Sequence, residues 1–248
     1  VILNTDYAME IDELKSNDKV KSILWIGLPG AYGLNGVARV ISGETSPSGH
    51  LADTFASNAS DSPAAQNFGI KNLDGSANYT WSNSSRKDSD DSHYVVLAED
   101  IYTGYYYYET RYADCVNNMG NATSSKGTKD GVSKWDYDNE VSYSFGYGKS
   151  YTTFEQTILN DSFYFDGENK TISLKVNVKN TGSVEGKDVV QLYVQLPYTE
   201  YDKTHKVEKS AIQLVTFDKT KLLAPNEEQT LTLTADLKYF ATYDKSSV

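Results

Sequence analysis

Two stretches decide how this chain reads: Gly104-Tyr-Tyr-Tyr-Tyr-Glu-Thr110 and Ser144-Phe-Gly-Tyr-Gly-Lys-Ser-Tyr-Thr-Thr-Phe154. The first sets four consecutive tyrosines between a glycine and a carboxylate. The second places aromatics around two glycines and runs into a strand-like segment. What lies before them and what lies after have different hydrophobic periods, so together they mark a junction between two domains.

After the junction the pattern is all-β. Phe154 to Asp161 reads as a strand, and Thr171 to Val178 alternates, placing Ile172, Leu174, Val176 and Val178 on one face. Val189 to Val194, Ile212 to Phe217 and Gln229 to Thr234 are further strands, the last with Leu231 and Leu233 inward. Asn180-Thr-Gly182 and Ala224-Pro-Asn226 are turns. Short strands at such spacing predict a β-sandwich of immunoglobulin or fibronectin type III kind.

Before the junction the chain reads strand, helix, strand, helix. Val1-Ile-Leu-Asn4 and Val20 to Ile26 are apolar runs of buried parallel-strand type. Met9, Ile11 and Leu14 have helical spacing, as do Leu34, Val37, Ala38 and Ile41. Leu51 to Phe55 is a short strand. Two parallel strands with two helices make only about half of an α/β domain, because a parallel sheet is covered on both faces. The remaining strands are expected from upstream sequence or from another chain. The predicted fold class is therefore α/β followed by all-β. Residues 1–70 are the carboxyl-terminal part of an α/β sandwich, 71–150 long loops and an aromatic connector, and 151–248 the fibronectin type III-like domain.

Composition narrows the function classes. The 248 residues carry a net charge of −11, which argues against nucleic acid as a partner. No apolar run is long enough to cross a membrane, and the first residues lack a signal-peptide pattern. They read as the interior of a longer chain. The six Asn-X-Ser/Thr sequons, at Asn58, Asn78, Asn83, Asn121, Asn160 and Asn169, say little about export in a chain so rich in these residues. Cys115 is the only cysteine, so neither an intrachain disulfide nor a cysteine-based zinc site is expected. Asp88-Ser-Asp-Asp91 lacks the glycine and the bidentate glutamate of a calcium loop. Gly27 to Gly36 lacks the lysine of a P-loop and the spacing of a dinucleotide fingerprint. No metal and no cofactor are expected.

Four blocks in order resemble glycoside hydrolase family 3. They are Trp25-Ile-Gly-Leu-Pro-Gly30 followed by Gly33 and Gly36, Gly43 to Phe55 around Pro47-Ser-Gly49, Glu99 to Thr110, and Phe145 to Phe154. Beyond them, Val178-Lys-Asn-Thr-Gly182, Gly186 to Val194 and Lys219 to Glu228 resemble the fibronectin type III-like domain appended to that family. The resemblance implies a β-glucosidase-like, retaining hydrolysis with two carboxylates. An aspartate nucleophile would come from a (β/α)8 barrel and a glutamate acid/base from an upstream segment of the sandwich. No position here matches the nucleophile's motif, so no catalytic residue is assigned to this chain. The barrel, in the same or another chain, and a carbohydrate substrate are the expected partners.

Five residues are candidates for sugar contact. Tyr79, Trp81 and Trp135 would form an exposed stacking platform if the chain were a carbohydrate-binding module; Tyr79 and Trp81 equally suit anchoring a polar loop. Glu99 and Glu109 flank the tyrosines and suit either a sugar hydroxyl or an ion pair or backbone hydrogen bond. The family's usual cation is replaced by Tyr106, which removes an expected partner for one of them. His50 stands where the family has arginine or lysine, and Lys149 replaces an apolar residue. Read as an extended segment, the tyrosine run puts Tyr105 and Tyr107 on one face and Tyr106 and Tyr108 on the other.

Overall fold

The computed structural model of this chain describes residues 1–59, 62–66, 97, 99–119 and 134–246. The candidates Tyr79 and Trp81 and the acidic run 88–91 lie outside them.

The first part holds a parallel pair, β1 (Ile2–Leu3) and β2 (Leu24–Trp25). Between them lies α1 (Asp12–Ser16), and after them α2 (Gly30–Ile41). Leu3, Ile11 and Phe55 form the core here, with Trp25 set edge-on against Phe55 at 5.5 Å. The α2 helix has an apolar stripe, yet none of its residues is buried. Leu34 and Ile41 are 55% and 59% exposed, and Leu28 and Tyr32 just ahead of and inside the helix 68% and 88%. An amphipathic helix with its apolar face in water is half of a contact.

Next come β3 (Phe55–Ala56) and a single turn, α3 (Pro63–Gln66). The tyrosines do not extend: α4 (Tyr105–Cys115) is an eleven-residue helix. The expected alternation is thus replaced by steps of about 100°. After it, α5 (Tyr137–Glu140) is capped by the Asp136 carboxylate accepting from the Asp138 N–H at 3.0 Å, and β4 (Val141–Tyr143) pairs antiparallel with β3. A second core, Ala56, Tyr108, Trp135 and Val141, fills the space between these elements.

The sandwich follows. One sheet runs β10 (Glu228–Asp236), β7 (Thr171–Asn180), β5 (Phe154–Ile158), with β6 (Tyr164–Asp166) also on β7. The other pairs β8 (Val189–Gln195) with β9 (Ile212–Lys219). A short helix, α6 (Glu200–His205), joins these two and starts in a capping box between Thr199 and Asp202. Val176, Val178, Val190, Leu223, Leu231 and Leu233 form the core between the sheets. Leu174 packs against it half-buried, as the alternation predicts.

Asn180 ends β7 fully buried and fully bonded. Its amide donates to the carbonyls of Val184 (2.8 Å) and Leu223 (2.9 Å), and its carbonyl accepts from the Thr152 hydroxyl (2.7 Å) and the Gly182 N–H (3.0 Å). The Asn-Thr-Gly turn is therefore a node that ties three segments together.

Candidate functional site

The two opening stretches meet in space. Tyr105, the first helical residue of α4, stacks on Phe145 with ring centroids 4.3 Å apart. Its hydroxyl oxygen accepts the Leu214 N–H at 3.0 Å, and the Thr110 hydroxyl oxygen accepts the Ala211 N–H at 3.0 Å. Leu214 lies in β9 and Ala211 just before it, so α4 satisfies backbone donors along the outer edge of that strand. It covers an edge that would otherwise stand open.

Because α4 is helical, its faces line two different clefts. Tyr105, Glu109, Tyr112 and Val116 face a cleft of about 770 Å³. Its other walls are Tyr137 from α5, Phe145 and Tyr147 from the glycine-aromatic stretch, and Gln191 and Tyr193 from β8. Tyr107, Thr110, Arg111 and Asp114 face a second cleft of about 470 Å³, closed by Glu99, Tyr102 and the α6–β9 segment.

In the larger cleft the Tyr137 hydroxyl donates to Glu109 Oε1 at 2.5 Å, and the Tyr193 hydroxyl donates to Gln191 Oε1 at 2.6 Å. Tyr112 stands edge-on to Tyr137 at 5.5 Å and is itself 38% exposed. Burial, then the bond to Glu109 and its charge, push the Tyr137 phenol far above its ordinary range. Burial and the Glu109 charge push Tyr193 up to about 12. Both phenols are therefore neutral donors at physiological pH, unsuited to act as bases. Gly146 makes the wall possible. It has φ +76°, and a Cβ there would lie 2.9 Å from the Tyr193 hydroxyl oxygen and closer still to the Gln191 carbonyl.

In the smaller cleft, burial and then the carboxylate of Glu208 push the Tyr102 phenol up to about 12. Burial and the Asp100 carboxyl push Glu208 up. Lys209 pairs with Asp202 at 2.8 Å beneath it. Burial pushes the Asp202 carboxyl up, but Lys209 and the Thr199 N–H and hydroxyl outweigh that and hold it at about 2.

The sequence candidates therefore separate. Glu109 lines the larger cleft and Glu99 the smaller, where Glu99 Oε2 is buried without a hydrogen-bond partner. Trp135 cannot be part of an exposed platform: it is 0% exposed, packed with Ala56, Tyr108 and Val141. Its apolar ring gains more from that core than from water, and the Arg111 guanidinium lies 5.9 Å from the ring centre. Lys149 is exposed. Tyr137, Gln191 and Tyr193 were not singled out by sequence. A signal existed, since Tyr105, Glu109, Tyr112 and Val116 recur at helical spacing. Among the described residues no three His, Cys, Asp or Glu side chains converge as metal ligands would.

The architecture is thus an α/β part passing through an aromatic junction into a β-sandwich. The chain belongs to glycosyl hydrolase family 3: residues 1–151 match its C-terminal domain, and residues 188–248 match a fibronectin type III-like domain. Among curated proteins it is 33% identical over 227 residues to a β-glucosidase of Ruminococcus albus, covering 92% of this chain and 18% of that protein. It is 30% identical over 259 residues to β-glucosidase A of Butyrivibrio fibrisolvens, covering 98% and 25%. Among solved structures, a β-glucosidase from Paenibacillus barengoltzii matches at 28% identity and a TM-score of 0.68, over 100% of this chain and 21% of that one. β-Glucosidase 3B from Thermotoga neapolitana in complex with α-D-glucose matches at 28% and 0.68, over 98% and 26%. The chain thus spans 18% to 26% of the length of these relatives.

Proposed function

We propose that this chain is the carboxyl-terminal part of a retaining, β-glucosidase-like glycosidase that removes terminal β-linked sugars from oligosaccharides or glycosides. The carboxylate pair of such chemistry, about 5 Å apart in a retaining enzyme, comes from the barrel and from the upstream part of the sandwich. This chain supplies the rest of the sandwich, the aromatic junction and the fibronectin type III-like domain. It is inactive alone.

The observation that carries this reading is the match of residues 1–151 to the family's C-terminal domain, together with the likeness to the β-glucosidases of Ruminococcus albus and Butyrivibrio fibrisolvens, each several times longer. The bare apolar face of α2 supports it, since Leu34 and Ile41 await a covering layer. In the larger cleft one oxygen of Glu109 is already taken by the Tyr137 hydroxyl.

The test is hydrolysis of an aryl β-glucoside by this chain alone and by this chain mixed with a barrel-bearing amino-terminal part from a close relative. No turnover alone and turnover in the mixture are expected. Turnover by the purified chain alone would refute the assignment of the carboxylates to other segments. Failure of every mixture, with the two parts shown to associate, would refute the glycosidase reading.

A further inference from the structure

We propose that the cleft between α4, the Phe145–Tyr147 stretch and β8 binds a neutral sugar, with a pyranose ring against Tyr112 and its hydroxyls on Glu109, Gln191, Tyr147 and Tyr193. The inference rests on the glycosidase reading for its ligand class and goes beyond it in giving this chain a binding site of its own.

Size comes first. At about 770 Å³ the cleft lies in the range of small-molecule sites, with room for more than one sugar ring. Polar groups come next. Gln191, whose amide oxygen accepts from the Tyr193 hydroxyl, and Tyr147 both line the cleft with polar groups. Glu109 has given one oxygen to Tyr137 and keeps further acceptor capacity. Tyr193 is held by Gln191 close enough for the Glu109 charge to act on its phenol. A carboxylate, an amide and phenols facing one space provide the mixed acceptors and donors that vicinal hydroxyls need.

Charge then selects among ligands. Among the described residues Glu109, Asp136 and Asp138 face the cleft against the single cation Lys134, which disfavours an anionic ligand such as a uronate or phosphate. A purely apolar ligand would leave the polar wall unpaired, a costly outcome in a partly buried site. Tyr112, 38% exposed and fixed edge-on by Tyr137, offers the apolar face that a pyranose stacks on. Gly146 keeps the wall open, since any side chain there would enter the space of Gln191 and Tyr193.

Calorimetry on the whole 248-residue chain with methyl β-D-glucopyranoside and cellobiose tests this, with glucuronate as the anionic control. Saturable one-to-one binding of the neutral sugars in the millimolar range is expected, with glucuronate at least ~10-fold weaker. Glu109→Gln keeps an acceptor for Tyr137 but loses the charge, and should weaken binding ~10-fold, the scale of a hydrogen bond to a charged group. Should that variant fail to fold by circular dichroism, Tyr193→Phe reads the same wall and should weaken binding several-fold. No saturable heat, equal binding of glucuronate, or full affinity in a folded Tyr193→Phe would each overturn the proposal. So would protection of Tyr137 and Tyr193 by a barrel-bearing partner in a chain that binds no sugar, which would identify a protein occupant. A chain that binds no sugar yet restores hydrolysis in the mixture overturns only this inference. One that binds sugar yet never supports hydrolysis overturns only the glycosidase reading.

Discussion

Alanine at Gly146 and alanine at Gly36 are the same chemical change with opposite expected signs. At Gly146 two costs add. The backbone sits at φ +76°, where an L-residue pays about 1–2 kcal/mol. The new methyl would also stand 2.9 Å from the Tyr193 hydroxyl oxygen and 3.2 Å from Gln191 Cδ. Those side chains are held by a 2.6 Å bond to each other and by the cleft walls, so they cannot both step aside freely. Overpacking of this kind costs about 1–3 kcal/mol. The sum is about 2–5 kcal/mol. Gly36 lies inside α2, without positive φ and with nothing within 4 Å of a built Cβ. Alanine there removes unfolded-chain entropy and gains about 0.5–1 kcal/mol.

Thermal unfolding followed through the near-ultraviolet signal of the aromatic junction separates the two. At about 2–4 °C per kcal/mol for a chain of this size, Gly146→Ala should melt roughly 4–20 °C lower and Gly36→Ala roughly 1–4 °C higher. A Gly146→Ala protein that melts with the unsubstituted chain would refute the claim that Phe145-Gly146-Tyr147 is wedged against β8. Both variants moving the same way would refute the contrast between the two glycines.

Three further outcomes follow from the same physics. Asn180→Leu keeps the volume but strips partners from the Val184 and Leu223 carbonyls, the Thr152 hydroxyl and the Gly182 N–H; at about 1–3 kcal/mol for a buried group left unpaired, urea denaturation should show a loss of about 3 kcal/mol or more. His50 has its pKa lowered by burial, with Asp188 opposing and Lys219 assisting. The unfolded chain therefore takes up a proton near pH 6.5 that the folded chain refuses; stability is full above that pH and falls as pH drops toward the folded value, and His50→Gln should flatten this slope in denaturant titrations across pH 7 to 5. Tyr105→Phe leaves the Leu214 N–H without its 3.0 Å acceptor while keeping the stack on Phe145, so a loss of about 1–2 kcal/mol should appear together with faster amide exchange at Leu214.

The sandwich was legible because its strands carry the period-2 signal that the fold then uses: Val176, Val178, Leu231 and Leu233 are inward in sequence and buried in space. The tyrosine run misled because four β-formers in a row carry no period of their own. Its helix is settled by distant partners: Phe145 beneath Tyr105, Trp135 and Val141 beside Tyr108, and the N–H groups before and within β9. Propensity is a weak prior, and tertiary contacts override it. The α6 helix, by contrast, announced itself in Thr199-Glu-Tyr-Asp202, a capping-box spacing whose reciprocal hydrogen bonds are present. Aspartate stands there where glutamate is usual, which weakens the spacing as a sequence signal.

Tyr106 explains why the cleft could not be read from Glu109 alone. On a helix, positions 106 and 109 are neighbours on the surface, so a cation at 106 would have been a local partner for the carboxylate. With tyrosine there, Glu109 is met instead by the Tyr137 hydroxyl, contributed by a one-turn helix that the Asp136 carboxylate caps. That partner lies 28 residues further along the chain. A local ion pair would have shown as a spacing in the sequence. A phenol brought in across a polar segment leaves no such trace, because its register depends on the packing of Trp135 with Ala56 and Tyr108. The Trp135 that looked like a sugar platform thus serves the cleft from beneath. It anchors the residue two positions on, and that residue orients the only α4 carboxylate facing the larger cleft.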